Sequence, residues 1–329
     1  MRRRLMFLVA GLVVGLLAIP AASGAQPSSK MPRVGILSPG TPPAELASTT
    51  LVRSLRDLGW VEGQNVRFAA RYAHGRDDRL PALAAELVRD GVDVLYAVAT
   101  PGAIAARQAT STIPIVFSFV SDPIASRLAI SLSRPGANAT GVTTLQPDVA
   151  GKLLQLFREA LPNLIRVGVL WNPNNPGKAI AFREIKAAAA LIGIEIQSLE
   201  ARAPEEIEPA LKALRTDRPT GVIVLSDGVT GFANLRYTAE AVVRTRLPNI
   251  HEFPEYVDFG GLMSYGSDGG AMIRQAAKHV DRVLRGARPA ELPIEQPTTF
   301  QLVINMKTAK ALGVAIAPAV MLRADRIIE

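Results

Sequence analysis

DDRLPALAAELVRDG (residues 77–91), VDVLYAV (92–98) and ATPGAIAARQA (99–109) follow one another without interruption, and their order decides the fold. In the first, Leu80, Leu83, Leu87 and Val88 form one apolar stripe, with Asp77 and Asp78 as N-caps, Pro81 in the first turn and Gly91 at the end. This predicts a helix. The second reads as a buried strand from Asp93, and the third as a small-residue helix from Pro101. Upstream, the same alternation gives strands at Arg33–Leu37 and Val66–Arg71 around a helix carrying Leu51, Leu55 and Leu58, stopped by Gly59. Downstream it gives a strand at Ile115–Phe119, a shorter helix and the turn-rich Arg134–Asn138. It restarts with a helix bearing Leu153, Phe157 and Leu161, then strands Arg166–Trp171, Ile194–Ser198 and Gly221–Leu225 between helices at about 177–192, 204–215 and 230–246. Short strands alternating with amphipathic helices mean an α/β protein with parallel sheets, here in two Rossmann-like lobes. Beyond Ile250 a strand to Tyr265, a helix with Ile273, Ala277, Val280 and Leu284, and a strand Thr299–Asn305 fit a tail that returns to each lobe in turn. The expected division is 33–145 plus about 265–290 for the first lobe, and 146–264 plus about 291–329 for the second, with a multi-crossover hinge between them.

The 329 residues, 48% hydrophobic and 20% charged, exceed one ordinary core and suit two domains. The absence of cysteine excludes disulfides, thiolate zinc sites, thiol nucleophiles and a lipid-anchoring cysteine. Residues 1–25 read as a signal peptide: Arg2-Arg3-Arg4, an apolar run from Leu5 to Ile19, then small residues to a cleavage site after Ala25. Those 15 apolar residues fall short of the roughly 20 that a spanning helix needs. The arginines fit either general or twin-arginine export. Gln26–Pro32 is a linker. Without the three leader arginines the formal charge drops from +8 to +5, from 34 basic and 29 acidic residues. The basic residues are scattered without aromatic interleaving, so no nucleic-acid partner is expected.

The chain lacks a G-x-S-x-G elbow, a Walker A loop, a G-x-G-x-x-G fingerprint and any His pair at metal-ligand spacing. His74, His251 and His279 read as surface or packing residues. No cofactor or metal is expected. Chemistry concentrates instead after the strands, where ligands of open α/β sheets bind. The candidate binding residues there are Ser38, Thr100, Pro101, Ser121, Asp122, Trp171, Asn172, Asn174, Asn175, Asp227 and Tyr265. Each small polar one is equally a helix cap or turn residue. Together they offer donors and acceptors, with Trp171 and Tyr265 as aromatic walls. For a zwitterionic solute, Ser38 and the Thr100-Pro101 helix start suit the carboxylate, and Asp227 or Asp122 the ammonium.

An ordered set of motifs carries a resemblance from about residue 32 to the C-terminus: Pro32–Ser38, Leu58–Val66, Asp78–Ala84, Thr112–Phe117, Ser133–Gly141, Asn172–Pro176, Gly260–Gly266 and Leu302–Lys310. Together they resemble ABC-transporter substrate-binding proteins of the tryptophan/tyrosine-uptake-like family. The resemblance implies a type I periplasmic-binding fold with three crossovers and a solute in the interlobe cleft. It implies capture without catalysis, delivery to a membrane ABC permease, and a periplasmic protein, here expected to be monomeric. An aromatic amino acid or related organic anion is the solute it suggests. One departure is Ala99, where many relatives have glycine and a methyl group would narrow the cleft. Two other readings remain at this point: a sensory module whose closed form contacts a membrane kinase or chemoreceptor, and a secreted α/β enzyme using Asp122 or Asp227 as base.

Overall fold

The computed structural model describes residues 31–46, 49–144, 146–231 and 234–329, without the side chains of 146–148. The expected signal peptide and most of the linker lie outside the described residues. Strands β1 (Arg33–Ser38), β2 (Arg67–Tyr72), β3 (Val94–Val98), β4 (Ile115–Val120) and β5 (Ala139–Thr143) form an all-parallel sheet of order β2-β1-β3-β4-β5. A second sheet, ordered β12-β11-β10-β9-β8-β6-β7, comprises β6 (Arg166–Trp171), β7 (Glu195–Glu200), β8 (Thr220–Val224), β9 (Asn249–His251), β10 (Met263–Gly266), β11 (Gln301–Asn305) and β12 (Arg326–Ile328). Its pairs are parallel except β10 with β11.

The helices are α1 (Thr50–Asp57), α2 (Leu80–Arg89), α3 (Ala99–Ala109), α4 (Gln146–Ala160), α5 (Pro176–Ile192), α6 (Ile207–Lys212), α7 (Leu235–Arg244), α8 (Glu255–Asp258), α9 (Gly269–Leu284), α10 (Met306–Leu312) and α11 (Pro318–Met321). Two layers of apolar side chains sandwich each sheet. Leu80, Leu87, Ala103 and Ala106 of α2 and α3 cover one face of the first sheet. Leu51 and Leu55 of α1, with Met272, Ala276 and Val280 of α9, cover the other. Beneath the second sheet, Leu153 and Phe157 of α4 meet Ala181 and Ile185 of α5, while α6 and α7 close the opposite face.

The chain therefore passes between lobes three times: after β5, between β10 and α9, and before β11. The boundaries differ slightly from expectation. Tyr265 and Gly266 belong to β10, hydrogen-bonded to β11 in the second sheet. Residues 291–295 stay with the first lobe, because Glu295 bridges to Val142 beside β5 and Ile294 enters that lobe's core. The short helix expected before Arg134 does not form. The Asp122 carboxylate accepts the N–H groups of Ile124 and Ala125, and Arg127 adopts φ 56°, so no right-handed turn propagates. Beyond Arg134 the chain adds β5, which the sequence conceals and whose small residues allow close approach. A Cβ on Gly141 would stand 2.1 Å from Phe117 O.

Candidate functional site

The ends of the two sheets meet across the lobes through very small residues. A Cβ placed on Gly177, in the first turn of α5, would lie 2.5 Å from Ser121 Oγ and 3.0 Å from Thr100 Oγ1. One on Gly228, just past β8, would lie 2.5 Å from Pro39 Cβ, just past β1. Only hydrogen lets these segments touch. The lobes are closed on one another.

The predicted polar residues are brought together at this junction. Thr100 and Ser121, both buried, are joined by the Ser121 N–H donating to Thr100 Oγ1 at 3.1 Å. Opposite them Asn175 caps α5 through the Gly177 N–H and donates to Asp227 Oδ2 at 3.4 Å. Asp227 is 1% exposed, and its Oδ1 accepts from the N–H groups of Val229 and Thr230. Asn172 reaches across the lobes to Asp77 Oδ2 at 3.0 Å. Asp77 Oδ1 is buried and has no hydrogen-bond partner among the described residues. Burial, reinforced by the charge of Asp227, pushes the Asp77 carboxyl up to about 7. Asn174 and Pro101 line an outer groove with Asp77, and Asp122 is spent on its own turn.

Beside this junction lie two adjoining cavities, each of about 230 Å³, that share Thr50, Phe119 and Ile273 as walls. The first sits over the ends of β1–β4 and is walled by Leu46, Leu51, Tyr72, Tyr96 and Val98, with Ser38, Thr41 and Thr49 also in its lining. The second spans both lobes, between Gly269 and Gly270 of α9 and Leu235, Phe253 and Glu255 of the second lobe. Phe119 links them. The β4–β5 register shifts between Phe117 and Val120, and Phe119 adopts φ 58°. Such an irregularity re-aims a side chain, and here the Phe119 ring meets Phe253 edge-on at 5.6 Å.

Trp171 and Tyr265 are not brought to these walls. Trp171 stacks on Phe182 of α5 at 4.5 Å and donates Nε1–H to Ser198, inside the second lobe. Tyr265 stacks on Phe300 at 5.9 Å and packs against the same core. Strand parity explains both, since neighbouring side chains of a strand point to opposite faces. The aromatic wall comes instead from Tyr72, Tyr96, Phe119 and Phe253. Of these, Phe119 alone carried a usable signal, lying two residues before Ser121 at a strand end. Asp77 was legible only as a cap, and Glu255 had no local signature.

The histidines pack as expected. His251 is buried, stacked on Tyr256 at 4.6 Å and accepting the Phe253 N–H at Nδ1, and burial lowers its pKa to about 3. His279 Nε2 faces Pro293 O. Nearby, Lys178 and Glu252 form a buried ion pair at 2.9 Å, and Glu252 also accepts from the Ser226 N–H. Among the described residues no cluster of three or more His, Asp or Glu side chains suits a metal ion. Ala99 adopts φ 61°, a left-handed conformation costly for a residue with a Cβ. Backbone conformation accounts for the fit of glycine at this position.

Comparison with known proteins agrees with this architecture. A tyrosine-binding protein of Clostridioides difficile is 25% identical over 272 residues, 82% of this chain and 77% of that one. A crystal structure of a conserved domain protein from Vibrio cholerae superposes with a TM-score of 0.82 at 30% identity, covering 91% of this chain and all of that one. An ABC domain from Streptococcus pneumoniae in complex with L-Trp superposes at 0.80 with 25% identity, covering 90% and 99% of the two chains. The two-lobed architecture is that of the type I periplasmic binding proteins. The family model for ABC transporter substrate binding proteins matches residues 39–328. The chain belongs to the ABC transporter substrate-binding protein family, whose members capture a solute for a membrane permease.

Proposed function

We propose that this chain captures an aromatic amino acid between its lobes and hands it, chemically unchanged, to an ABC permease. The observation that carries the reading is the pair of adjoining cavities, walled by Tyr72, Tyr96, Phe119 and Phe253 at the closing edge of the lobes. Aromatic walls favour an aromatic solute, offset-stacked or edge-on pairs adding about 0.5–1.5 kcal/mol beyond area burial. The names of the tyrosine-binding and L-Trp-bound relatives support the same class. Ser38 touches the solute directly. Thr100, Ser121, Asn172, Asn175 and Asp227 keep the lobes in register around it, while Pro101, Asp122 and Asn174 shape the rim. The protein acts as a monomer in the periplasm, after cleavage near Ala25. Among the described residues no helix is long and apolar enough to cross a membrane.

Thermal-shift and calorimetric titration with L-Tyr, L-Trp, L-Phe and a panel of sugars tests the solute class. At about 100 times its Kd, a ligand adds roughly 2.7 kcal/mol of stability. Binding confined to sugars refutes the aromatic assignment, and turnover of the bound amino acid refutes the role of receptor. N-terminal sequencing of the periplasmic protein is expected to begin near Gln26, and a retained Met1 refutes the processing.

A further inference from the structure

We propose that Glu255 is the specificity-determining residue that reads a cationic nitrogen on the solute, so that amino acids are taken and their desamino acids rejected. The inference rests on the joined cavities being the solute site. Of the described residues that wall them, Glu255 alone bears a formal charge. It opens α8 on the second lobe and faces Gly269 of α9 on the first, where a Cβ would stand 3.6 Å from its Oε1. The carboxylate thus meets the solute only where the lobes close.

The positive charges near it are already engaged by other carboxylates. The nearby guanidinium, Arg326, is paired with Asp258 at 2.9 Å and also donates to Pro254 O. Asp268, the other neighbouring carboxylate, caps α9 through the Ala271 N–H and pairs with Arg274 at 3.3 Å. Among the described residues Glu255 has no ion-pair partner. Burial raises its carboxyl pKa, with Asp268 and Asp258 adding to the effect and a backbone hydrogen bond and Arg326 opposing it without reversing it. A half-buried carboxylate with acidic neighbours gains most from a cation that enters with the solute, because the pair then forms a charge-assisted hydrogen bond in a shielded cavity. The first turn of α9 beside it has N–H groups without intrahelical acceptors. These suit the carboxylate of the same zwitterion, with its ring against Phe119.

The test is calorimetric titration of the mature protein with L-Tyr, L-Trp and their desamino counterparts, 3-(4-hydroxyphenyl)propionate and 3-indolepropionate, at pH 7.5. Wild type is expected to prefer each amino acid by about thirtyfold or more, the scale of a charge-assisted hydrogen bond. Glu255→Gln, nearly isosteric, is expected to lose most of that preference by weakening the amino acid while binding the desamino acid at least as well as wild type. Retained binding of the desamino acid shows the variant folded and its cavity intact. Equal wild-type affinity for a pair, or amino-acid binding by Glu255→Gln within threefold of wild type, overturns the assignment and leaves the aromatic solute standing. Failure of wild type to bind any of the four compounds overturns the solute reading and the role of Glu255 with it.

Discussion

Replacing Gly177 by alanine separates closure from folding. The added methyl would sit 2.5 Å from Ser121 Oγ, 2.7 Å from Ser121 Cβ and 3.0 Å from Thr100 Oγ1. Rotation of the Ser121 hydroxyl relieves the first contact but not the second, because Cβ is fixed by the backbone. That backbone is held: its N–H donates to Thr100 Oγ1 and its carbonyl accepts from Thr143 Oγ1. The lobes must therefore part by most of an ångström before ordinary carbon contact distances return. Overpacking of this kind costs about 1–3 kcal/mol, and it falls on the closed form, where the lobes touch. Solute binding should weaken by roughly 5- to 150-fold, since 1.4 kcal/mol is about tenfold in Kd. With the lobes apart the clash is absent and alanine is a better helix former than glycine by up to about 1 kcal/mol, so the variant with open lobes should melt no lower than wild type. Calorimetry gives the affinity, and solution scattering with saturating solute gives the compaction. Unchanged affinity together with wild-type compaction would refute closure through the Gly177–Ser121 contact.

Asp77→Asn is expected to stabilise the closed protein at pH 8, less at pH 5, and to change little only below about pH 4. The native Asp77 carboxyl is raised to about 7 by burial and then by Asp227, so the folded state holds a proton that the unfolded chain releases near pH 4. Stability from this group is thus fully present below about pH 4 and lost progressively as pH rises to 7; a melting-temperature difference between variant and wild type that does not grow from pH 4 to pH 8 refutes it. Ala99→Gly should raise stability by about 0.5–1 kcal/mol in urea titration, because the relief of φ 61° exceeds the added chain entropy; destabilisation contradicts the strain argument. Trp171→Ala should cost about 3–5 kcal/mol of stability yet leave solute affinity within twofold where the protein remains folded, since the indole is committed to Phe182 and Ser198. A large affinity loss in folded protein would return Trp171 to the solute.

The periodicities of residues 77–109 and their repetition determined the α/β class and the main strands and helices, because apolar spacing and capping residues act within one or two turns of chain. They also placed Thr100, Ser121, Asn172, Asn175 and Asp227 at strand ends, the positions that meet across the lobes. Tertiary structure decided which partner each of those groups found. Asp227 and Asp122 satisfy backbone N–H groups, whereas Asp77, read only as a cap, ends with a buried oxygen beside a second carboxylate from the other lobe. It decided the aromatic wall as well: the face a strand-end ring selects depends on parity and irregularities, and the shift after Phe117 turns Phe119 toward Phe253 while Trp171 goes to the core. Glu255 became legible last, since its charge matters only where α9 from the first lobe closes over it. No local pattern encodes contacts between residues brought together from separate lobes, because they arise from packing across three crossings of the chain.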